Sequence, residues 1–344
     1  MLEIDGSYHE GGGQILRTAV ALSSVTGRPV RIINIRAKRC NPGLSAQHLT
    51  AIKALARLSR ARLSGAKPGS TKIEFFPGEF VGRRHEIDIG TAGAISLVLQ
   101  TLTFPAVFCG KEMSFAIKGG THVRWSPPMD YFTDIFCFFL EKLGIAIKAE
   151  VKKYGFYPKG GGFVEVSIKP TEKLKKAEFT ERGKIQSIKT KSIATEGLRG
   201  AHVAERQADA FENAFNEKEA QAETSYIHSL SDGSHIFTGI FYENAAIGAG
   251  ALGERGRPAE KVGQEAAETI KKQMDAGACL DEWMADQILP YLALSGGTVS
   301  VAKITPHAMT NIHVIEQFFG KIFHVNQKQR TISVLEPAKL RSKG

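Results

Sequence analysis

Three separated stretches of this chain follow the same order of hydrophobic periods, and that repetition restricts the fold more than any other feature. Residues 14–35, QILRTAVALSSVTGRPVRIINI, have helical spacing that breaks at Gly27 and passes into strand-like alternation. Residues 94–118, AISLVLQTLTFPAVFCGKEMSFAIK, do the same with the break at Gly110. Residues 285–304, ADQILPYLALSGGTVSVAKI, do so again around Gly296-Gly297. Each stretch is followed by a second amphipathic helix pattern (45–63, 129–144, 309–320) and then by two strand patterns. An initial strand is expected for each unit, at Met1–Ile4, at His85–Ile89 and, less clearly, near residue 280. The chain therefore predicts an α+β fold of three β-α-β-α-β-β repeat units.

Residues 183–275 break this pattern. They contain KIQSIKTKSIA, two charged helix patterns and strand patterns around SDGSHIFTGIFYE, which reads as a small inserted α+β domain with one face of each helix in water. The expected organisation is a discontinuous domain over 1–182 and 276–338 interrupted by the insert at 183–275. The basic tail KLRSKG is expected to fray.

Charge points toward the partner. There are 45 Lys and Arg against 35 Asp and Glu, a net charge of +10, which favours a polyanionic ligand such as a nucleotide or nucleic acid. The four cysteines are scattered without a C-x-x-C pair, so neither a zinc site nor a disulfide framework is signalled, and a reducing, cytoplasmic setting is expected. The opening MLEID has no signal-peptide character and no apolar run is long enough for a membrane span.

Five segments carry candidate chemistry. In GSYHEGGGQILR (6–17), a glycine triplet opens a helix whose free amides can receive phosphate. Glu10 can hold a divalent cation there and Arg17 can pair with phosphate oxygens, although a glycine triplet alone is also a plain tight turn. In IRAKRCNPGLSAQHL (35–49), Arg36, Lys38 and Arg39 precede a helix that begins with Gln47 and His48, a grouping that suits a terminal phosphate or a solvated basic loop. YGFYPKGGGFVEV (154–166) reads as a hairpin turn with buried aromatics, or as an aromatic contact to bases. In DEWMADQILPYLAL (281–294), Trp283 lies one turn before Asp286 and Gln287, a set able to stack on a purine and meet its polar edge, or simply the start of an amphipathic helix. In ITPHAMTN (304–311), His307 sits in a Pro-containing turn between a strand and a helix, where a neutral imidazole can act as a nucleophile or be merely exposed.

Taken in order, DGSYHEGGGQILR, NPGLSAQHLTA, GFYPKGGG, ADQILPYLALSGG and PHAMTNIHVIEQF resemble the RNA 3′-terminal phosphate cyclases over nearly the whole chain. Two positions depart from the family pattern: Tyr154, where Arg or His is usual, and Trp283, where Tyr or His is frequent. The resemblance implies three repeat units plus an inserted domain. It also implies ATP-dependent conversion of an RNA 3′-phosphate to a 2′,3′-cyclic phosphodiester through histidyl-AMP, with AMP and pyrophosphate released.

On that resemblance His307 is the adenylated histidine, with Arg17 and Arg36 beside it as catalytic groups. Gln100, Pro127, Trp283, Met284, Ala285, Asp286 and Gln287 hold ATP, with Pro127 and Trp283 sandwiching the adenine. Glu10 carries Mg or Mn, and Arg39, Gln47 and His48 meet the RNA end. DNA ends are not expected to cyclise, since they lack the 2′-OH. The inserted domain, with its loop GERGRPAEK (253–261), is expected to help handle RNA. The main alternative is a catalytically inactive, cyclase-like RNA-binding or ribosome-biogenesis factor, a class that lacks the histidine. More distant alternatives are an enolpyruvyl transferase, which shares the repeat, and a plain RNA-binding module.

Overall fold

A computed structural model of the chain describes residues 1–82, 84–217 and 220–340; the last four residues of the basic tail lie outside the described residues. The first unit runs β1 (Leu2–Asp5), α1 (Gly13–Thr26), β2 (Val30–Ile33), α2 (Ala46–Leu58), β3 (Arg62–Ser64) and β4 (Ile73–Phe76). The second runs β5 (Arg84–Asp88), α3 (Ile95–Phe108), β6 (Met113–Gly119), a π-helical stretch Tyr131–Phe136 leading into α4 (Cys137–Lys142), β7 (Ile147–Lys153) and β8 (Gly162–Ile168). Their sheets have equivalent strand orders, β1-β2-β4-β3 and β5-β6-β8-β7. In each, the first two strands are parallel because a helix carries the chain between them, and the remaining pairs are antiparallel.

The third unit begins earlier than its sequence pattern suggested. Its first strand is β9 (Ala177–Phe179), about a hundred residues before the expected position near 280, where the chain makes only the single bridge Leu280–Val301. The insert follows as β10 (Ile185–Thr195), α5 (Val203–Phe215), β11 (Ala222–Ile227), β12 (Ser234–Tyr242), β13 (Ala246–Leu252) and α6 (Ala259–Asp275). The third unit then resumes with α7 (Met284–Gln287), α8 (Leu289–Ser295), β14 (Gly297–Ser300), α9 (Pro306–Phe319), β15 (Phe323–Asn326) and β16 (Thr331–Val334). Its sheet, β9-β14-β16-β15, repeats the order of the other two, with β9 and β14 parallel. A strand of three residues with one polar position carries too little periodicity to stand out from loop.

The units meet through their helices. α1 packs against α2, α3 and α9, so the start of the first helix lies among elements of all three units. The insert forms its own sheet, β11-β10-β12-β13, with α5 and α6 packed against it. It rests on the second unit, where Ile135 of the π-helical stretch lies against Gly239 and Gly248. A hydrogen bond from Tyr131 Oη to Asp281 Oδ1 (2.6 Å) and one from the Gly248 amide to Asp281 Oδ2 (3.0 Å) join the second unit, the insert and the return into the third unit.

The turn from α8 into β14 depends on glycine. Gly297 has φ +115°, and a Cβ there would lie 2.1 Å from the Ala177 carbonyl oxygen of β9. Gly297→Ala is expected to lower stability by about 2 kcal/mol or more, read as a drop in the urea midpoint, because backbone strain and a backbone clash act together.

Candidate active site

A cavity of about 870 Å³ opens where α1, α2 and α3 meet α7, the start of α9 and the insert strands β12 and β13. Its size is that of a nucleotide-scale ligand pocket. At one end, the strand β1 leads into a turn and α1 begins at Gly13 without an acidic residue in its first turn, so its free amides and positive dipole end are open to an anion. Arg17, Arg36, Arg39, Gln47 and His48 line the same cavity. His48 fits because Gly13 has no side chain; a Cβ there would fall 1.9 Å from His48 Nε2. Burial, reinforced by Arg17 and Arg36, pushes the His48 imidazole down to about 3, so it is neutral at physiological pH. Burial also lowers Arg17 to about 10 against the pull of Asp286, and it remains a cation.

His307 stands at the N-terminus of α9, where Pro306 starts the helix and Thr305 caps it by accepting from the Ala308 amide. Its ring is held on both sides. Gln14 Nε2 donates to Asp286 Oδ2 (2.9 Å) and to the His307 carbonyl (3.0 Å), which turns Gln14 Oε1 toward His307 Nδ1 as its acceptor. The amide cannot be reversed without setting its oxygen against two acceptors. Nδ1 is therefore the protonated nitrogen, and Nε2 faces Glu10 Oε2 at 3.0 Å. Burial lowers the His307 pKa, with Arg17 and Arg39 acting in the same direction and Glu10 opposing them. Asp286 behind Gln14 is raised to about 7 by burial, with Arg17 pulling it back.

The other end of the cavity is amphipathic. Trp283 and Pro127 both line it, and the Pro127 carbonyl is anchored by Ser96 Oγ at 2.7 Å. Trp283 packs edge-on to Tyr131 with ring centroids 6.4 Å apart. Gln100 Nε2 donates to Gln287 Oε1 (2.9 Å), and Gln287 Nε2 donates to the Trp283 carbonyl (3.0 Å), so two amides sit beside the indole. Met284 and Ala285 are fully buried behind this wall and do not line the cavity. Glu10 sits at the phosphate end, 3.9 Å from Arg39 Nη2. Mg²⁺ commonly takes one or two carboxylates and completes its shell with substrate phosphates, and Glu10 fits that pattern.

Several lining groups carried no strong sequence signal. Gln14 lies inside the glycine-rich motif but looks like an ordinary helical residue. Asn311 Nδ2 donates to the Asp286 carbonyl (2.9 Å), and Thr18 Oγ1 donates to Asn311 Oδ1 (2.8 Å), steadying α7 from behind. Phe237 and Gly248–Gly250 bring the insert into the cavity wall. The small-residue run AAIGAGA in β13 was the available hint of a close approach.

Behind the cavity, His122, Asp130 and His235 bring ligand-type atoms within 4.8 Å of one another. Both Nε2 atoms already contact Asp130 Oδ2, at 2.6 and 2.8 Å. Ligand atoms around an ion with bonds of about 2.1 Å stand about 3 Å or more apart. The spacing is that of hydrogen bonds, and the cluster fastens β12 of the insert to the second unit. Burial opposes ionisation of Asp130, but the two imidazole donors hold its carboxyl well below the usual range.

Three repeated units thus surround a pocket with a cationic end and an aromatic–amide end, a site of the size and character that suits a nucleotide. The family model described as RNA 3′-terminal phosphate cyclase matches residues 8–325. The chain is 48% identical to the RNA 3′-terminal phosphate cyclase of Pyrococcus furiosus, covering 94% of this chain and 95% of that one. It is 44% identical to the protein of the same name from Archaeoglobus fulgidus (94% and 97% covered) and 45% identical to that from Methanosarcina barkeri (97% and 99%). The chain belongs to the RNA 3′-terminal phosphate cyclase family.

The geometry predicts how His307 titrates. In the ligand-free protein its NMR-detected midpoint is expected below the usual imidazole value near 6.5, because burial favours the neutral ring. Glu10→Gln is expected to move the midpoint further down by removing the carboxylate that attracts the proton. An upward move would place the controlling charge elsewhere.

Proposed function

We propose that this protein uses ATP to convert an RNA 3′-terminal phosphate into a 2′,3′-cyclic phosphodiester, with His307 carrying AMP between the two substrates. The observation that carries the reading is the orientation of His307, whose Nδ1–H is engaged by Gln14 while Nε2 faces the phosphate end of the cavity.

Nε2 attacks the α-phosphorus of ATP; a phosphorus–nitrogen bond forms and pyrophosphate leaves. The Nδ1–H donated to Gln14 stabilises the positive ring as this happens, and Asp286 behind the amide supports it. In the resting geometry Glu10 Oε2 lies 3.0 Å from Nε2, a contact that holds a proton between them; that proton passes to Glu10 and the contact opens, which frees the Nε2 lone pair for phosphorus. A divalent cation on Glu10, Mg or Mn, would supply neutralisation of phosphate charge. Arg17, Arg36 and Arg39 supply fixed positive charge, which favours the transferring phosphoryl group over its solvated state. Adenine fits between Trp283 and Pro127, with Gln100, Asp286 and Gln287 at its polar edges.

AMP then passes to an oxygen of the RNA 3′-phosphate, breaking the phosphorus–nitrogen bond and giving RNA-(3′)pp(5′)A. The vicinal 2′-OH attacks the phosphorus bound to the RNA 3′ oxygen, the anhydride bond to AMP breaks, the hydroxyl proton passes to solvent and AMP leaves. Being intramolecular, this last step needs alignment and charge neutralisation more than a strong base. Gln47, His48 and Arg39, which line the same cavity, receive the RNA end in this reading. A DNA 3′-phosphate has no 2′-OH and stops at the activated end. The inactive, binding-only alternative is disfavoured by the presence of His307 within an assembled pocket. Among the described residues no helix is long and apolar enough to cross a membrane, and a cytoplasmic setting accords with the proposed RNA substrate.

Incubation with α-labelled ATP and Mg²⁺ is expected to leave an acid-labile, alkali-stable label on the protein, and an RNA 3′-phosphate is expected to become phosphatase-resistant. His307→Ala is expected to abolish both; label persisting in that variant would move the nucleophile elsewhere. Gln14→Ala is expected to slow labelling by about 100-fold, measured as the single-turnover rate, because the ring loses its orientation and its tautomer control.

A further inference from the structure

A second cavity of about 430 Å³ adjoins the first, bounded by residues 123–126 and Pro128 on one side and by β12, β13, the loop after β13 and the start of α6 on the other. Arg124, Trp125, Ser126, Pro128 and Gly250 line both, so the two form one continuous cleft. None of the residues proposed to hold ATP or the cation lines this second part.

Three independent features give it the character of a binding site. Trp125 is 94% exposed and sits at φ +66°, a backbone conformation that bulky residues rarely adopt. Such a residue holds a flat apolar surface in water at a cost in backbone energy, at the lip shared by both cavities. His235, in the cavity wall, has the one buried side-chain polar atom among the described residues without a hydrogen-bond partner, Nδ1. Its Nε2 is committed to Asp130, so Nδ1 is left without a donor; the atom is closed to solvent, so it marks an unsatisfied wall of the cavity and is not itself a contact for a ligand. Finally, the charges balance. Arg124 pairs with Glu254 and Arg257 pairs with Glu265, and all four line the cavity. The balance disfavours a phosphate, which would meet two carboxylates. It favours a neutral ring carrying both donors and acceptors at its edge.

Together with the activity proposed above, on which this inference rests, the geometry points to a subsite for a nucleobase of the RNA upstream of its 3′-phosphate. The base stacks on Trp125 while its edge meets the two Arg–Glu pairs, Arg124 with Glu254 and Arg257 with Glu265. The RNA end then lies in the larger cavity and the strand leaves across the insert. This gives the charged loop at 253–261 a defined contact: Glu254 and Arg257 are the residues it contributes.

The test uses the full chain and a short 3′-phosphorylated oligoribonucleotide, with abasic residues placed at successive upstream positions. Binding is followed by filter retention, and tryptophan fluorescence is recorded in parallel. One abasic position is expected to weaken binding by about fivefold or more, the scale of a lost base–aromatic stack. Trp125→Ala is expected to weaken the intact RNA to the same degree and to show no further loss with that abasic RNA. Arg257→Ala is expected to weaken the intact RNA as well, with melting curves checking that each variant is folded. Abasic RNAs that bind wild-type protein as tightly as intact RNA would overturn the subsite, and this measurement needs no variant. Equal binding of intact RNA by Trp125→Ala and wild type would also overturn it. Labelling of the wild-type protein by ATP in the same preparation reports the activity separately. Missing label with abasic-sensitive binding rejects the activity and keeps the subsite; label with abasic-insensitive binding does the reverse.

Discussion

The buried amide of Gln14 is the point on which the candidate site turns. One side chain from the first helix reaches Asp286 and His307, both from the third unit, and its two ends have opposite polarity. An amide with donors on one end and an acceptor on the other fits only one way between two acceptors and an N–H. That single orientation decides which imidazole nitrogen turns away from Gln14 toward Glu10. It also ties the first unit to the third, since a slip of either helix would break the hydrogen bonds of Gln14 to Asp286 and to His307. Thr18 and Asn311, one turn further in, repeat the tie with a second buried pair.

The insert is held by the same kind of buried polar contact. Asp130 accepts from His122 of its own unit and from His235 of the insert, while Asp281 accepts from Tyr131 and from the Gly248 amide. A carboxylate in such a place is costly unless satisfied, so these contacts specify one docking position rather than a general apolar fit. The docking brings Phe237 and Gly248–Gly250 to the cavity. The pocket is therefore built from all three units and the insert.

Much of this was legible in the residues. Amphipathic helices followed by alternating strands identify the repeat wherever they are long, and the glycine breaks at Gly27, Gly110 and Gly296-Gly297 mark where helix becomes strand. The candidate groups Arg17, Arg36, Arg39, Gln47, His48, Gln100, Pro127, Trp283, Asp286, Gln287 and His307 all line one cavity. The strand opening the third unit was misplaced because β9 is three residues long and separated from its partner β14 by the insert; pairing across such a gap leaves no mark on local periodicity. Met284 and Ala285 lie in the right helix but on its buried side, which a four-residue helix is too short to reveal by pattern.

By itself, the sequence determined the repeated order of helix and strand and the residue types that can meet phosphate, purine and metal, because these depend on neighbours within a few turns. Tertiary structure alone decided the tautomer of His307, the part the insert plays in the cavity wall and the lone acceptor of His235. Each of those depends on groups a hundred or more residues apart. Their meeting is set by helix packing and by the need to satisfy buried polar atoms, neither of which is written in any one segment.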